Sequence, residues 1–124
     1  MARVFLDTNF FIDLVERRKE TNLPQFKNYQ LFVSPLSFHI LAYIYRYKFP
    51  NTKFTDLMGL FTIIPLTQTV LEKGSLGPTG DFEDNLQLHS AVEGDCELFL
   101  TSDKKLLTMN YFGTTKITNS LLIR

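Results

Sequence analysis

Short apolar runs alternate with segments of helical spacing along the chain, and this alternation constrains the fold more than any other feature. The first run, residues 3–6, is followed by a polar turn and then by apolar residues at helical spacing. The same pattern predicts further strands at residues 31–33, 61–64, 97–101 and 115–118, and helices at residues 35–48, 52–60, 67–73 and 82–92. Strands that alternate with helices predict an α/β domain in which helices cover both faces of a central parallel sheet of four to five strands.

The size and composition of the chain suit one packed domain. With 124 residues, of which 44% are hydrophobic, we place a single domain at residues 1–124. No run approaches the roughly 20 apolar residues that a membrane helix needs, so we predict no association with a membrane. The one cysteine, Cys96, excludes an intrachain disulfide and a cysteine-based zinc site, and it suits a reducing cytoplasm. Because Cys96 flanks an apolar run, we interpret it as a small core residue.

Acidic and basic residues balance overall, with 13 of each, but they are unevenly distributed. Residues 72–103 carry eight acidic residues against Lys73 alone, and basic residues outnumber acidic ones on both sides of this segment. The zero total argues against a broadly basic surface for nucleic acid and against attraction to an anionic membrane. A concentrated block of acid in a neutral chain instead indicates a site.

Acidic side chains follow two of the predicted strands at the points where these strands end. Asp7 follows the first strand and Asp103 follows the fourth, so both belong to the edge formed by the carboxyl ends of parallel strands. Asp84 lies in the first turn of a helix that runs back toward the fourth strand, and such a helix begins near the same edge. We therefore expect three carboxylates from distant segments to converge. The same reasoning brings six further polar residues to this edge: Asn9, Ser34, Asp81, Glu83, Thr101 and Ser102.

Carboxylates that crowd into one cleft repel one another, and they stay ionised together only with a compensating cation. Oxygen ligands without cysteine pairs favour Mg²⁺ or Mn²⁺. Such an ion activates a water and stabilises charge on a phosphoryl group, which predicts metal-assisted hydrolysis of a phosphodiester. Simpler roles stay open: Asp7 as a helix cap, Asp103 as a turn residue, and Asp81, Glu83 and Asp84 as acids at the positive end of a helix.

Four short motifs occur in a recognisable order along the chain. They are residues 7–9 (Asp-Thr-Asn) with Asp13 beyond them, Ser34 ahead of a helix, residues 81–84 (Asp-Phe-Glu-Asp) with Ala91 on the same helix, and residues 101–103 (Thr-Ser-Asp). In order and spacing these motifs resemble the PIN-domain family over essentially the whole chain, and the length is similar to that of single-domain VapC-type toxins. The resemblance implies a three-layer α/β/α fold, endoribonuclease activity that depends on Mg²⁺ or Mn²⁺, frequent homodimers, and inhibition by a small antitoxin.

The resemblance also implies roles for individual residues. Asp7, Asp84 and Asp103 would be the catalytic acids that bind the metal. Asp81 would be an auxiliary acid of the metal site. The polar supports at the same edge would be Asn9, Ser34 and Thr101.

His39 stands where the family usually has a glutamate, about five residues after the serine that precedes the second long helix. A neutral imidazole binds Mn²⁺ or Zn²⁺ but is a poor ligand for Mg²⁺, and it removes one negative charge from the site. Three outcomes are open: a weaker Mg²⁺ site, an altered metal preference, or lost catalysis with retained binding. A single histidine on an apolar helix is also commonly a packed core residue rather than a supporting ligand.

Residues 42–54 interleave aromatic side chains with bases, an arrangement that can stack on single-stranded RNA and contact its phosphates. We predict three RNA contacts in this segment, Arg46, Lys48 and Lys53. Tyr43 and Tyr47 are four residues apart on a predicted helix, a spacing that favours packing against another helix or a second subunit. The basic residues at 17–19 suit the negatively polarised end of the first helix.

Three functions are compatible with these features. The convergence of acids favours a metal-dependent endoribonuclease, the toxin of a toxin–antitoxin pair. His39 motivates a catalytically silent PIN-like domain that binds RNA or a protein partner. A receiver-like signalling domain also places acids at strand ends, but it requires an acid after the third strand, where residues 64–67 read Ile-Pro-Leu-Thr. We therefore rank the signalling domain last.

Overall fold

The computed structural model describes residues 1–17 and 26–121, in which short strands alternate with helices. The strands are β1 (Ala2–Leu6), β2 (Tyr29–Val33), β3 (Thr62–Ile63), β4 (Leu98–Leu100), β5 (Tyr111–Phe112) and β6 (Thr115–Thr118). The helices are α1 (Thr8–Ile12), which continues into a π-helical turn (Asp13–Arg17), α2 (Pro35–Ile44), α3 (Thr52–Met58), α4 (Gln68–Gly74), α5 (Phe82–Glu93) and α6 (Lys104–Leu107). Arg18 and Lys19, which we expected at the end of the first helix, lie outside the described residues.

The strands form one six-stranded sheet in the order β3-β2-β1-β4-β6-β5. All neighbouring strands are parallel except β5, which pairs antiparallel with β6. The predicted α/β architecture with a mostly parallel central sheet is therefore confirmed. The sheet has one strand more than the four to five expected, because a turn at Gly113, with a φ of 62°, folds Tyr111–Phe112 back onto β6. A strand of two residues is too short for hydrophobic periodicity to reveal.

β1 is buried on both faces, which places it in the middle of three layers. Val4 and Leu6 pack in one hydrophobic cluster with side chains from α1, α2 and α3, whereas Phe5 packs in a second cluster with side chains from α5 and α6. Phe5 stacks on Phe99 of β4 with ring centroids 5.4 Å apart. Cys96 lies in the second cluster, where burial raises the pKa of its thiol to about 12, in agreement with a core role.

Two helices differ from the sequence-based expectation. α2 ends at Ile44 instead of continuing to residue 48, because Arg46 adopts a left-handed backbone conformation, with a φ of 54°, that does not continue a helix. α6 was not predicted, and it begins because the side chain of Asp103 accepts a hydrogen bond from the backbone N–H of Lys105 at 2.8 Å. Within the described ranges, every helix falls short of the length and hydropathy that a membrane crossing requires.

Asn85, on α5, forms hydrogen bonds with the loop that follows α4. Its Nδ2 donates to the backbone carbonyls of Gly74 and Thr79, both at 2.9 Å, and its Oδ1 accepts from the backbone N–H and the hydroxyl of Thr79 at 2.9 and 2.7 Å. Asn85 is only 4% exposed, so these partners take the place of water. The side chain therefore holds residues 75–80 beside the first turn of α5.

We expect Asn85→Ala to lower the free energy of unfolding by about 2–4 kcal/mol, because it leaves buried backbone groups of Gly74 and Thr79 without partners. Urea denaturation measures the change. Gln68→Ala is the control, since Gln68 is exposed and its side chain donates to the nearby, exposed Glu72. It should change the free energy of unfolding by less than about 0.5 kcal/mol. Equal losses for the two variants would contradict the role assigned to Asn85.

Candidate active site

A cavity of about 240 Å³ opens at the edge of the sheet where β1 and β4 end. Every residue that lines it is polar, and four of these residues are acids. They come from the junction of β1 and α1, from the first half of α5, and from the segment that follows β4. The lining residues are Asp7, Thr8, Asn9, Glu83, Asp84, Gln87, Ser102 and Asp103. We refer to this space as the acidic cavity.

Asp7 is fixed at the end of β1 by hydrogen bonds to two other parts of the fold. Its Oδ1 accepts the backbone N–H of Phe10 at 2.8 Å and so caps α1, while its own backbone N–H donates to the carbonyl of Leu100 in β4 at 3.1 Å. Its Oδ2 accepts a hydrogen bond from the hydroxyl of Thr101. Asp7 is 7% exposed, so these contacts determine the direction of its carboxylate. It therefore caps a helix and lines the acidic cavity at the same time.

Thr101 connects Asp7 to Asp103. Besides donating to Asp7, the hydroxyl oxygen of Thr101 accepts the backbone N–H of Asp103 at 3.0 Å. The Oδ1 of Asp103 then accepts the backbone N–H of Lys105 and begins α6. Thr101 is fully buried. The end of β4 thus sets the distance between two of the predicted acids through a single hydroxyl group.

Asp84 reaches the acidic cavity from the first turn of α5. Asp81 caps this helix, since its Oδ1 accepts the backbone N–H of Asp84 at 2.9 Å. Of Asp81 and Asp84, Asp84 lines the acidic cavity with Asp7, whereas Asp81 lines only an adjoining cavity. The positive end of the α5 dipole favours negative charge at both positions.

The acids at this edge disfavour one another's ionisation. The pKa of Asp7 is raised to about 6, mainly by burial and also by the charges of Asp103 and Glu83, against the two hydrogen bonds of its carboxylate, which lower it. The pKa of Asp84 is also raised to about 6, mainly by burial. Repulsion from four surrounding acids contributes to that increase: Asp81, Asp103, Asp7 and Glu83. Near neutral pH the site therefore favours uptake of a proton or of a cation.

A buried polar network lies behind the acids. Gln87 is 2% exposed, and its Nε2 donates to the hydroxyl of Thr8 at 2.9 Å and to the carboxylate of Glu83 at 3.2 Å. Thr8 shares a further hydrogen bond of 2.9 Å with Ser37 of α2. Within the described part of the chain, the Oε1 of Gln87 has no hydrogen-bond partner. An unsatisfied buried acceptor costs about 1–3 kcal/mol, and a water carried by a bound cation would satisfy it.

Two lining residues, Thr8 and Gln87, were not among the predicted site residues, and Glu83 and Ser102 were expected at the edge without a role. A signal for Gln87 exists in the sequence, since it is a polar residue between Leu86 and Leu88 and lies three positions after Asp84. A buried amide between two apolar residues indicates a specific hydrogen-bonding role.

The other predicted supports lie in different surroundings. Asn9 lines the acidic cavity. Ser34 is fully buried and caps α2 by accepting the backbone N–H of Leu36 at 3.1 Å, without lining the cavity. His39 is exposed on α2 and is also outside the cavity lining. α2 therefore contributes Ser37 to the network behind the acids but no acid or imidazole to the lining.

The three predicted RNA contacts lie outside the acidic cavity. Lys53 forms an ion pair with Glu16, which also accepts a hydrogen bond from the hydroxyl of Tyr47. Arg46 and Lys48 are exposed on the connection between α2 and α3. Lys53 therefore takes part in an intramolecular ion pair, whereas Arg46 and Lys48 are exposed at the surface.

The aromatic residues of the same region divide between packing and exposure. Tyr47 packs edge-on against Phe54 with ring centroids 5.9 Å apart, and Phe54 packs against Phe38 at 5.3 Å. Tyr43 is 78% exposed and Phe49 is 59% exposed. Tyr47 therefore belongs to the packing between α2 and α3, while Tyr43 faces outward.

The donor set of the acidic cavity suits a hard divalent cation, because its acids and amides offer oxygen ligands. Within residues 1–17 and 26–121, no group of three or more acidic, histidine or cysteine side chains is drawn together tightly enough to hold a metal ion. A bound cation would therefore pull the carboxylates closer together, and the exposed positions of Glu83 and Asp103 leave room for this movement. The residues fit a cation that would relieve the repulsion between Asp7 and Asp84.

Comparison with known proteins agrees with this arrangement. The model of the PIN domain family matches residues 4–110. No curated protein sequence matches significantly. Among solved structures, the fold is similar to one in the complex of VapBC2 from Rickettsia felis with a DNA fragment from its promoter. That match has a TM-score of 0.66 and 15% identity, and it covers 94% of this chain and 97% of the other.

Two further structures show the same fold. A toxin–antitoxin complex from Klebsiella pneumoniae matches with a TM-score of 0.63 and 21% identity, covering 82% of this chain and 88% of the other. VapC20 of Mycobacterium tuberculosis is described as a toxin that cleaves the sarcin–ricin loop. It matches with a TM-score of 0.60 and 10% identity, covering 91% of this chain and 98% of the other. These similarities show a shared fold, and the family model spans most of the sequence. The chain therefore belongs to the PIN-domain family.

Proposed function

We propose that this protein is an endoribonuclease that depends on Mg²⁺ or Mn²⁺ and hydrolyses phosphodiester bonds of RNA. The observation that carries the proposal is that Asp7, Asp84 and Asp103, from three distant segments, line one cavity at the carboxyl ends of the strands. Oxygen ligands in this number suit a cation that also binds phosphate oxygens. Membership of the PIN-domain family supports the same activity. We assign it to one domain spanning residues 1–124.

Asp7, Asp84 and Asp103 would hold the cation, with Asp81 as an auxiliary ligand. When bound, Mg²⁺ or Mn²⁺ supplies an activated water and neutralises charge on the phosphoryl group. Thr101 contributes by fixing Asp7 relative to Asp103 through the two hydrogen bonds of its hydroxyl group.

A small antitoxin is the protein partner that we propose. Chains of similar fold occur in toxin–antitoxin complexes, and VapC20 is described as a toxin that cleaves the sarcin–ricin loop. By this likeness we propose that the chain is the toxin of a toxin–antitoxin pair. We also propose that it is cytoplasmic and forms a homodimer. Exposed apolar side chains, including Tyr43 and Phe49, provide surface for a second chain.

A catalytically silent PIN-like domain that binds RNA or a protein partner is the second candidate. Two observations favour it: the described acids do not form a closed ligand set, and α2 supplies no acid to the cavity because His39 lies exposed outside it. Such a domain would keep the acidic cavity but turn over no RNA.

We expect Asp7→Asn, Asp84→Asn and Asp103→Asn each to reduce metal-dependent RNA cleavage at least ~100-fold, because each removes a charge that holds the cation. Asp56→Asn is the matched control, since Asp56 is an exposed acid on α3 outside the cavity. Cleavage of a labelled RNA with Mg²⁺ and with Mn²⁺ provides the measurement. Activity that persists in the triple variant would refute the proposal.

We expect His39→Glu to change cleavage by less than about threefold with either metal, because residue 39 is exposed outside the acidic cavity. The same RNA assay compares the variant with the wild type. A strong gain from an inactive wild type would instead support the silent domain, and robust wild-type cleavage would reject it.

We expect the protein in EDTA to lose stability as the pH rises from about 4 to about 6, because the pKa of folded Asp7, about 6, exceeds the ordinary value of 3.8. The folded state binds this proton more tightly, so the stabilisation is complete below both values and is lost above about pH 6. The difference between the folded and the ordinary pKa of Asp7 corresponds to a loss of about 3 kcal/mol in the free energy of unfolding at pH 7. Asp7→Asn should remove the share of this dependence that comes from Asp7 and leave the share of Asp84, whose pKa is also raised to about 6, as urea denaturation at about pH 4 and pH 7.5 would measure.

Saturating Mn²⁺ should restore stability to the wild type at pH 7.5 and have little effect on Asp7→Asn, since the cation compensates the charge that burial disfavours. Asp56→Asn should behave as the wild type. Parallel pH profiles for the wild type and Asp7→Asn would contradict the assigned pKa.

A further inference from the structure

A second cavity, of about 470 Å³, adjoins the acidic cavity and shares part of its lining. Asp84 and Asp103 line both spaces. We name the second space the side cavity. Any ligand in it lies next to the two acids that the proposed function places around the scissile phosphate.

The side cavity differs chemically from the acidic cavity. Pro78, Leu106 and Met109 give it an apolar surface, whereas the lining of the acidic cavity is polar throughout. Lys105 is the one basic side chain among the residues that line the two cavities. Asp81, Asp84 and Asp103 line the side cavity as well, so an anionic group suits it only beside Lys105 and with a cation that balances the acids. The apolar surface suits the flat, apolar part of such a ligand.

Hydrogen bonds hold the walls of the side cavity in place. The carboxylate of Asp103 accepts the backbone N–H of Lys105, which fixes the backbone from which the Lys105 side chain extends. The backbone N–H of Met109 donates to the carbonyl of Leu106 at 3.0 Å. On the opposite side, Asn85 fixes the backbone of Thr79, which lines this cavity too. The cavity therefore exists before a ligand binds.

We propose that the side cavity binds the RNA nucleotide that neighbours the scissile phosphate, with its base against Leu106 and Met109 and its phosphate on Lys105. This inference rests on the proposed function. The volume lies within the ~300–1,000 Å³ typical of small-ligand pockets, which accommodates one nucleotide. A base enters such a pocket only when it is unstacked, so the substrate is a single-stranded region.

Lys104 offers a matched control for Lys105. Both lysines are exposed on α6, and Lys104 lines neither cavity. The measurement is the initial affinity of a fluorescein-labelled single-stranded RNA hexanucleotide with Mg²⁺ present to balance the acids, read before cleavage becomes appreciable, at several salt concentrations. Lys105→Gln should weaken binding about twofold to fivefold and lower the slope of log affinity against log salt by about 0.7, the effect of one lost phosphate contact. Lys104→Gln should leave both quantities unchanged.

Met109→Ala separates the apolar contact from the ionic one. It should weaken binding of the hexanucleotide about twofold to tenfold without changing the salt slope, because it removes apolar surface and no charge. Thermal melting of each variant verifies that the fold is intact. Equal effects of Lys104→Gln and Lys105→Gln, or a normal affinity for both Lys105→Gln and Met109→Ala, would overturn the proposal.

The test distinguishes failure of the side cavity from failure of the proposed function. If the wild type cleaves RNA and Asp7→Asn does not, while the Lys105 and Met109 variants bind normally, only the side cavity is refuted. If the wild type neither binds the hexanucleotide nor cleaves RNA, both proposals are refuted.

Discussion

The hydroxyl group of Thr101 is the contact on which the geometry of the acids depends. It donates to the buried carboxylate of Asp7 and accepts the backbone N–H of Asp103, so it joins the end of β1 to the end of β4. Asp7 in turn caps α1, and Asp103 caps α6. Removing this hydroxyl would disturb two helix starts and two carboxylates together. Local structure and site geometry are therefore specified by the same few hydrogen bonds.

Burial of the ionised Asp7 lowers the stability of the folded protein in the absence of a cation. The neighbouring acids and the protein interior both disfavour a negative charge at Asp7 and Asp84, which raises the pKa of each to about 6. Among the described residues, the Oε1 of Gln87 has no hydrogen-bond partner, which adds a buried unsatisfied acceptor beside these acids. A site with these properties gains stability from a ligand that brings positive charge and water. This physical demand supports a metal-dependent role more directly than any single residue does.

The neutral total charge of the chain places a limit on how RNA would be bound. With 13 acids and 13 bases, the surface as a whole offers no general attraction to a polyanion. Lys53, one of the bases that seemed available, is paired with Glu16. The affinity would therefore depend on a cation held by the acids and on local bases such as Lys105, which lies beside the same acids. Concentrating the acids in one segment of a neutral chain would let the acidic site act on the RNA substrate that we propose, which is itself a polyanion.

Much of the fold and part of the site could be predicted from the sequence because the rules involved are local or topological. Strand and helix alternation specified a parallel sheet, and the direction of parallel strands put Asp7 and Asp103 at one edge. The two-residue strand β5 and the short helix α6 were not predicted, since neither is long enough to show a hydrophobic periodicity. The residues that line the acidic cavity could not all be predicted from spacing, because the sequence does not give the rotation of each helix relative to the sheet.

The sequence by itself determined the class of fold, the order of the elements and the segments from which the acids come. Only the tertiary structure decided that α2 turns His39 outward while Ser37 meets Thr8, that Gln87 lies behind the acids, and that Lys105 stands beside a second cavity. The physical reason is that spacing along a chain fixes the face of an element. Which neighbour that face meets depends on packing between elements that are far apart in sequence.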